Sequence, residues 1–189
     1  RVTQVESFGG TPAKLAVTPF VSAPTFTAEI PEVETYTRLL AVAPMAVAEG
    51  RRFDLSGIFY TDPGFFDVFS HAALAGDLGT ALDAPGSLVL TQETALKLFG
   101  RTEVVGSTVN FNNAIDFKVT AVIADVPRNT HFRFNGLASF GTVAERPDIR
   151  PLLTDWFRIA GWVYLLLKDR AEPRAVEEKL EAVVLKHAG

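Results

Sequence analysis

The sequence contains no cysteine, and this absence removes several kinds of chemistry at once. Without thiols the chain forms no disulfides, has no thiolate nucleophile and builds no Cys-ligated zinc site. Histidine is also scarce, with only His71, His131 and His187 among 189 residues. Because a lack of cysteine suits both a reducing cytosol and a cell envelope, it does not by itself indicate a compartment.

Long hydrophobic runs are missing as well. The most apolar stretch, Ile159 to Leu167, is followed by Lys168 and falls far short of the roughly 20 residues that a membrane-spanning helix needs. No secretory signal peptide is recognisable. The chain opens on a segment, Val2 to Ser7, that already has the pattern of a strand. We therefore expect this chain to be a fragment of a longer protein.

Positive charge is not in excess. The chain has 18 Lys and Arg against 22 Asp and Glu, which gives a net charge of −4. Proteins that bind the nucleic-acid backbone need a clustered basic surface, so this class of function is disfavoured. By contrast, 15 phenylalanines and a hydrophobic content of 48% can fill the core of one large domain or two small ones.

Sequence motifs of the common enzyme classes are absent. There is no phosphate-binding G-x-x-x-x-G-K-[ST] loop and no dinucleotide-binding G-x-G-x-x-G. The G-x-S-x-G of hydrolases and the H-E-x-x-H of metalloproteases are also missing. We therefore do not expect this chain to hydrolyse a nucleotide or to bind a dinucleotide cofactor.

The segment from Phe59 to His71 offers the strongest candidate for a metal site. Asp67 and His71 are spaced as neighbours on one helix face, and Asp62 and Asp77 could add oxygen ligands. A metal-dependent hydrolase would recruit His131 to the same ion. One histidine with scattered aspartates, however, matches no strong ligand pattern.

A structural interpretation of the same segment is favoured. Asp62 is a plausible helix N-cap because Pro63 follows it, and proline is tolerated in the first helical turn. Asp67 then faces solvent, and His71 lies at the helix end, where the helix dipole favours a cation. The phenylalanines around them fill a core, so we predict that no residue of this segment binds a metal.

A second group of candidates surrounds His131. As a catalytic base His131 would need an orienting carboxylate, for which Asp125 is the nearest choice. The favoured alternative is a loop histidine that bonds to nearby backbone. The aromatic side chains that follow, together with Arg128 and Arg133, faintly resemble a surface for single-stranded nucleic acid. The acidic composition instead favours core packing for Phe132, Phe134 and Phe140.

Hydrophobic periodicity and turn residues predict an α+β fold. Ile115 to Ile123 alternates most cleanly between apolar and polar residues and follows a hairpin turn at Asn112-Asn113. Thr91 is a suitable cap for a helix that ends at Gly100. Near the end of the chain, an amphipathic helix from Pro173 to about His187 is predicted to bury Val176, Leu180, Val183 and Val184.

Several phrases of the sequence, taken in series, resemble the periplasmic core domain of MacB-like ABC-transporter permeases. This class also includes FtsX-like and lipoprotein-releasing permeases. The phrases are Glu29–Leu39, Thr61–Ser70, Leu74–Gly100, Val104–Val109 and Phe117–Phe140. The series DPGFFDVF, LAGD, LVLT, TA and LFG is the most specific part. The resemblance covers roughly residues 29 to 140, and the later residues match by the order of their elements only.

The resemblance implies a fold in two parts. A porter-like β-α-β sandwich subdomain would comprise residues 1–75 and 132–189. A smaller mixed α/β subdomain, a sabre-like unit of a helix plus a hairpin, would be inserted at residues 76–131. No catalytic residue is implied, and the nucleotide would bind to a separate ATPase.

The resemblance also implies a function and its partners. The chain would be the non-catalytic extracytoplasmic, periplasmic portion of an inner-membrane permease. It would couple ATP hydrolysis in the cytoplasm to a periplasmic conformational change that exports or releases a substrate. Its partners would be its own transmembrane helices, a second permease copy and a cytoplasmic ABC ATPase, with docking of a periplasmic adaptor left open. A soluble extracytoplasmic module that holds a small molecule in a phenylalanine-lined cleft remains the alternative.

Overall fold

The computed structural model describes residues 1–8, 11–127, 129–144 and 146–188, with side chains described at 1–3 and from residue 15 onward. Within these ranges a two-stranded hairpin accompanies one mixed sheet of eleven strands. The strands are β1 (Gln4–Phe8), β2 (Thr11–Leu15), β3 (Thr18–Pro19), β4 (Val33–Val42), β5 (Met45–Ala48), β6 (Arg51–Asp54), β7 (Ile58–Thr61), β8 (Ala73–Gly76), β9 (Ser87–Thr91), β10 (Thr108–Phe111), β11 (Ile115–Ile123), β12 (Gly136–Ser139) and β13 (Ile159–Leu167). The helices are α1 (Ser22–Glu29), α2 (Phe65–Val68), α3 (Gln92–Phe99), α4 (Gly141–Ala144), α5 (Arg150–Thr154) and α6 (Pro173–Ala188).

The strand order of the main sheet is β3-β13-β4-β7-β12-β9-β11-β10-β5-β6, and β8 pairs with β11 beside this path. The pairs β7–β12 and β9–β11 are parallel, and the other pairs are antiparallel. This mixed architecture confirms the predicted α+β fold. Strands from both predicted subdomains join in the sheet, since β12 pairs with β7 on one side and with β9 on the other. The division into two subdomains stays a prediction.

The central strands are buried on both faces of the sheet. In β9, Leu88 and Leu90 belong to one hydrophobic cluster, and Val89 between them belongs to another. Because side chains alternate along a strand, the two clusters lie on opposite faces. A third cluster, which includes Phe26 and Val183, lies between α1 and α6.

Local signals place several elements where the sequence predicts them. The Asn112-Asn113 turn joins β10 to β11, and both asparagines have positive φ, 56° and 54°, as a tight hairpin requires. The Thr91 hydroxyl accepts a hydrogen bond from the Thr94 N–H at the start of α3. Gly100 ends this helix in the left-handed conformation, with φ of 71°.

Three local predictions are wrong or incomplete. Val184 is 40% exposed, because α6 packs on α1 through Val176 and Val183 and the next residue is rotated away. The apolar segment from Trp162 to Leu167 favours a fully buried strand, but Leu165 and the two leucines after it are only partly buried in β13. Ser22 has the residue type of a helix cap, with Pro24 in the predicted first turn. It does not cap α1 but lies in the first turn, and its hydroxyl donates to the Pro19 carbonyl at 2.6 Å.

Candidate functional site

Asp62, predicted as a helix cap, instead forms an ion pair with Arg38. One carboxylate oxygen, Oδ2, accepts from the Arg38 backbone N–H at 2.8 Å and from Nε at 2.9 Å, and Oδ1 accepts from Nη2 at 2.6 Å. The helix α2 begins only at Phe65, and no side chain caps it. The cap prediction is therefore wrong, because the guanidinium of a neighbouring strand competes successfully for the carboxylate.

Aromatic rings surround the Arg38 guanidinium. Its central carbon lies 4.2 Å from the centroid of Phe140 and 5.5 Å from that of Tyr36. Burial opposes the charge on Arg38, but the hydrogen bonds and negative charge of Asp62 outweigh it and raise the pKa of Arg38 above its ordinary value. Burial likewise raises the pKa of Tyr36. This arrangement fixes β4 to the end of β7 and leaves no group poised to move a proton.

His71 lies among phenylalanines rather than among carboxylates. Its ring stacks on Phe65 with 5.7 Å between centroids and meets Phe134 edge-on at 5.3 Å. Burial lowers the pKa of His71, which disfavours the cation that a helix end would stabilise. The predicted helix-end role is therefore wrong, since α2 already ends at Val68 and His71 lies beyond it.

The other carboxylates of the proposed metal site have separate surroundings. Asp67 is exposed, as the structural interpretation predicts. Asp77 lies in a turn, where it accepts hydrogen bonds from the Gly79 N–H at 3.0 Å and the Thr80 hydroxyl at 3.2 Å. In the described part of the chain, no three His, Asp or Glu side chains lie close enough together to hold a metal ion.

His131 bonds to a tyrosine rather than to nearby backbone or to Asp125. Its Nε2 lies 2.8 Å from the Tyr164 hydroxyl on β13. Burial raises the pKa of Tyr164, which keeps this hydroxyl protonated. The Asp125 carboxylate instead accepts from the Glu93 N–H at the start of α3, at 2.8 Å. The carboxylate–histidine pair that a catalytic base would need is therefore not formed, and the favoured backbone partner of His131 is replaced by Tyr164.

The aromatic residues predicted as a possible stacking platform lie on different faces. Phe132 and Phe134 stack with 5.9 Å between centroids in the cluster that contains His71. Phe140 belongs to the opposite cluster, beneath Arg38. Arg128 lies outside the described residues. The rings near His131 leave a small cavity of about 70 Å³.

One cleft between described residues was not found from the sequence. It measures about 720 Å³ and lies between α1, the short strand β3, the beginning of β13 and α6. Its apolar lining includes Phe26, Trp156, Phe157, Ile159, Leu180 and Leu185. The sequence does contain a signal for this cleft. The apolar stripe of α6 is wider than its packing on α1 through Val176 and Val183 requires.

Two surface arginines, Arg51 and Arg146, make local contacts. Arg51 donates from Nη2 to the Leu98 carbonyl at 2.7 Å, near the end of α3. Arg146 pairs with Asp148 at 2.8 Å. These contacts satisfy backbone and surface charges and assemble no basic patch for a polyanion.

Comparison with known proteins adds a family match over almost the whole chain. The model of the family described as "MacB-like periplasmic core domain" matches residues 2–183. No curated protein matches the chain. Among the residues that the structure describes, no helix is both long enough and apolar enough to cross a bilayer.

Several solved structures share the fold. A permease-protein domain from Porphyromonas gingivalis has a TM-score of 0.78 at 20% identity, covering 94% of this chain and 74% of that chain. The periplasmic region of MacB from Actinobacillus actinomycetemcomitans has a TM-score of 0.70 at 18% identity, covering 92% and 76%. The extracellular domain of the ABC-type transporter YknZ from Gram-positive bacteria has a TM-score of 0.64 at 13% identity, covering 92% and 86%.

Proposed function

We propose a mechanical role for this chain, which belongs to the MacB-like periplasmic core domain family. The chain is a periplasmic domain of a MacB/FtsX-like ABC permease. In our proposal the domain has no catalytic activity of its own. It passes on the motion that ATP hydrolysis drives in the cytoplasm, and the resulting shift on the periplasmic side exports or releases a substrate.

One observation carries the mechanical proposal: a sheet of eleven strands runs through the described residues, and its central strands are packed on both faces. A close-packed interior is stiff and transmits displacement rather than absorbing it. The buried pair between Arg38 and Asp62 adds a fixed link between β4 and the end of β7. A displacement applied to one edge of such a body is passed to the other edge.

A non-catalytic role is supported by where the candidate groups lie. Asp62 is held by Arg38, His71 is packed among phenylalanines, and His131 bonds to Tyr164. None of these side chains is paired with a nucleophile or an orienting carboxylate in a shared cleft. The reacting groups of the transport cycle would therefore belong to the cytoplasmic ATPase.

The partners follow from the same proposal. They are the permease's own transmembrane helices, a second permease copy and a cytoplasmic ABC ATPase, and the domain would belong to the extracytoplasmic side of an inner-membrane protein. We also propose that residues 76–131 act as an inserted subdomain on the body formed by residues 1–75 and 132–189. The net charge of −4 supports the absence of nucleic acid among the partners.

Distance measurements between spin labels test the proposal directly. Because this chain has no cysteine, Ala84→Cys and Ala182→Cys introduce unique labels at exposed positions. In the complete permease, diluted with unlabelled copies, the distance between the two labels should stay constant through the ATPase cycle. With Ala84→Cys alone on every copy, the distance between copies should change on nucleotide binding. A changing distance within one domain, or a constant distance between copies, would contradict the mechanical role.

A further inference from the structure

The helix α6 presents two chemically different faces. One face packs on α1 and on the start of β4, where Lys179 pairs with Glu32, and Lys186 and His187 both pair with Glu29. The other face lines the 720 Å³ cleft described above. The cations of α6 that form these pairs are therefore engaged on the α1 side, away from the cleft.

Exposed apolar side chains are concentrated along the cleft. Seven large hydrophobic residues of the described ranges are exposed, and four of them line this cleft. These are Phe157 at 79%, Leu185 at 64%, Val184 at 40% and Ile159 at 37% exposed. Exposed apolar residues scattered singly are ordinary, but a contiguous group marks a surface that binds something apolar.

Six of the sixteen residues that line the cleft are polar, and two of these are acidic whereas one is basic. Glu177 and Glu181 are one turn apart on the cleft face of α6, and neither forms an ion pair with a described residue. Arg1 is the one basic side chain among the described lining residues. The Thr18 hydroxyl, also in the lining, is buried and makes no hydrogen bond with a described residue. A buried hydroxyl without a partner is costly unless a ligand satisfies it.

The geometry points to a binding site for an ammonium-bearing amphiphile with a single hydrocarbon chain. The hydrocarbon chain lies against Phe157, Ile159 and Leu185, and the ammonium group lies between Glu177 and Glu181. The volume falls within the range of small-molecule sites, about 300–1,000 Å³. Like charges one helical turn apart repel each other, and a cation between them removes that repulsion.

Charge selects among the possible occupants. An anionic amphiphile would bring its charge next to two carboxylates that only one basic side chain, Arg1, offsets, so this cleft disfavours it. The inference does not depend on the mechanical role, because binding is measured on this chain alone.

Fluorescence titration of the chain tests the site. The cleft contains Trp156, one of two tryptophans, and Trp162→Phe leaves it as the only reporter. The probes are decyl- and dodecyltrimethylammonium, with decanoate and dodecanoate as anionic controls, all below their micelle concentrations. Two added methylenes should tighten ammonium binding about 15-fold, at about fourfold each. Carboxylates of equal chain length should bind more weakly.

Double variants separate the contribution of the ligand's hydrocarbon chain from that of its ammonium group. The double variant Phe157→Ser with Leu185→Ser should lower the affinity for the ammonium probe at least tenfold. The control variant Leu96→Ser with Val105→Ser, at exposed positions outside the cleft, should leave this affinity unchanged. Glu177→Gln with Glu181→Gln should reduce the preference for ammonium over carboxylate about fivefold to tenfold. All four side chains of the cleft variants are exposed, so the variants should fold.

Three outcomes would overturn the inference. The first is binding that does not saturate below the micelle concentration or does not depend on chain length. The second is equal binding of ammonium and carboxylate probes by the unsubstituted chain. The third is a stable dimer that Phe157→Ser with Leu185→Ser abolishes, since a second copy would then be the occupant.

Discussion

Arg38 and Asp62 form a bidentate ion pair that joins β4 to the end of β7, with 2.6 Å between Nη2 and Oδ1. Both side chains are almost buried, at 12% and 9% exposure. The pair holds β4 against the end of β7, so its consequence is rigidity. A stability measurement can detect that consequence.

Asp62→Asn should destabilise the chain by about 2–4 kcal/mol, because it leaves the buried guanidinium of Arg38 without its counter-charge. Urea unfolding followed by circular dichroism measures the change. Asp67→Asn is the matched control, since Asp67 is exposed on the same segment; its effect should stay within about 0.5 kcal/mol. Equal effects of the two substitutions would show that the ion pair contributes nothing.

Lowering the pH should reduce the free energy of unfolding through protonation of His71. Burial lowers the pKa of this histidine, so the unfolded chain binds a proton more readily than the folded chain does. The contribution is fully present above the unfolded pKa of about 6.5 and is lost as the pH falls below it towards the folded pKa. His71→Phe should therefore reduce the loss of stability between pH 7.5 and pH 5.5. An unchanged pH dependence would refute this assignment.

The hairpin turn between β10 and β11 should tolerate glycine but not a β-branched residue. Asn113 has a φ of 54°, a conformation that glycine adopts freely and valine does not. Asn113→Val should cost about 1–2 kcal/mol, whereas Asn113→Gly should be neutral or slightly stabilising. The test is the urea midpoint of the two variants, and a Val variant as stable as the Gly variant would contradict the turn geometry.

Gly161 should not accept a methyl group. A Cβ at this position of β13 would lie 2.2 Å from the Leu39 carbonyl oxygen and 2.8 Å from the Phe20 ring. Gly161→Ala should therefore cost about 3 kcal/mol, as overpacking of a close-packed interior does. Gly79→Ala serves as the control, because its nearest contact would be 3.4 Å from an Asp77 oxygen. Thermal unfolding of both variants should show a loss for Gly161→Ala alone.

Sequence and structure agree best where the deciding signal is local. The bounds of β11 and α3 follow from alternation, from a Thr91 cap and from a Gly100 stop. They disagree at Asp62, where a cap signal and a partner 24 residues away compete for one carboxylate. The partner of His131 is 33 residues away, and the residues next to His131 in the sequence do not indicate it.

The sequence by itself determined α3, β11 and the turn at Asn112-Asn113, because a capped helix, an alternating strand and a turn each depend on residues that are close along the chain. It also determined the family, through a series of short phrases. Only the tertiary structure decided that β12 lies between β7 and β9, that Arg38 forms an ion pair with Asp62, and that one face of α6 lines a cleft. The physical reason is that backbone preferences act over a few residues. Which strands pair, and which polar groups meet, depends on the packing free energy of the whole chain.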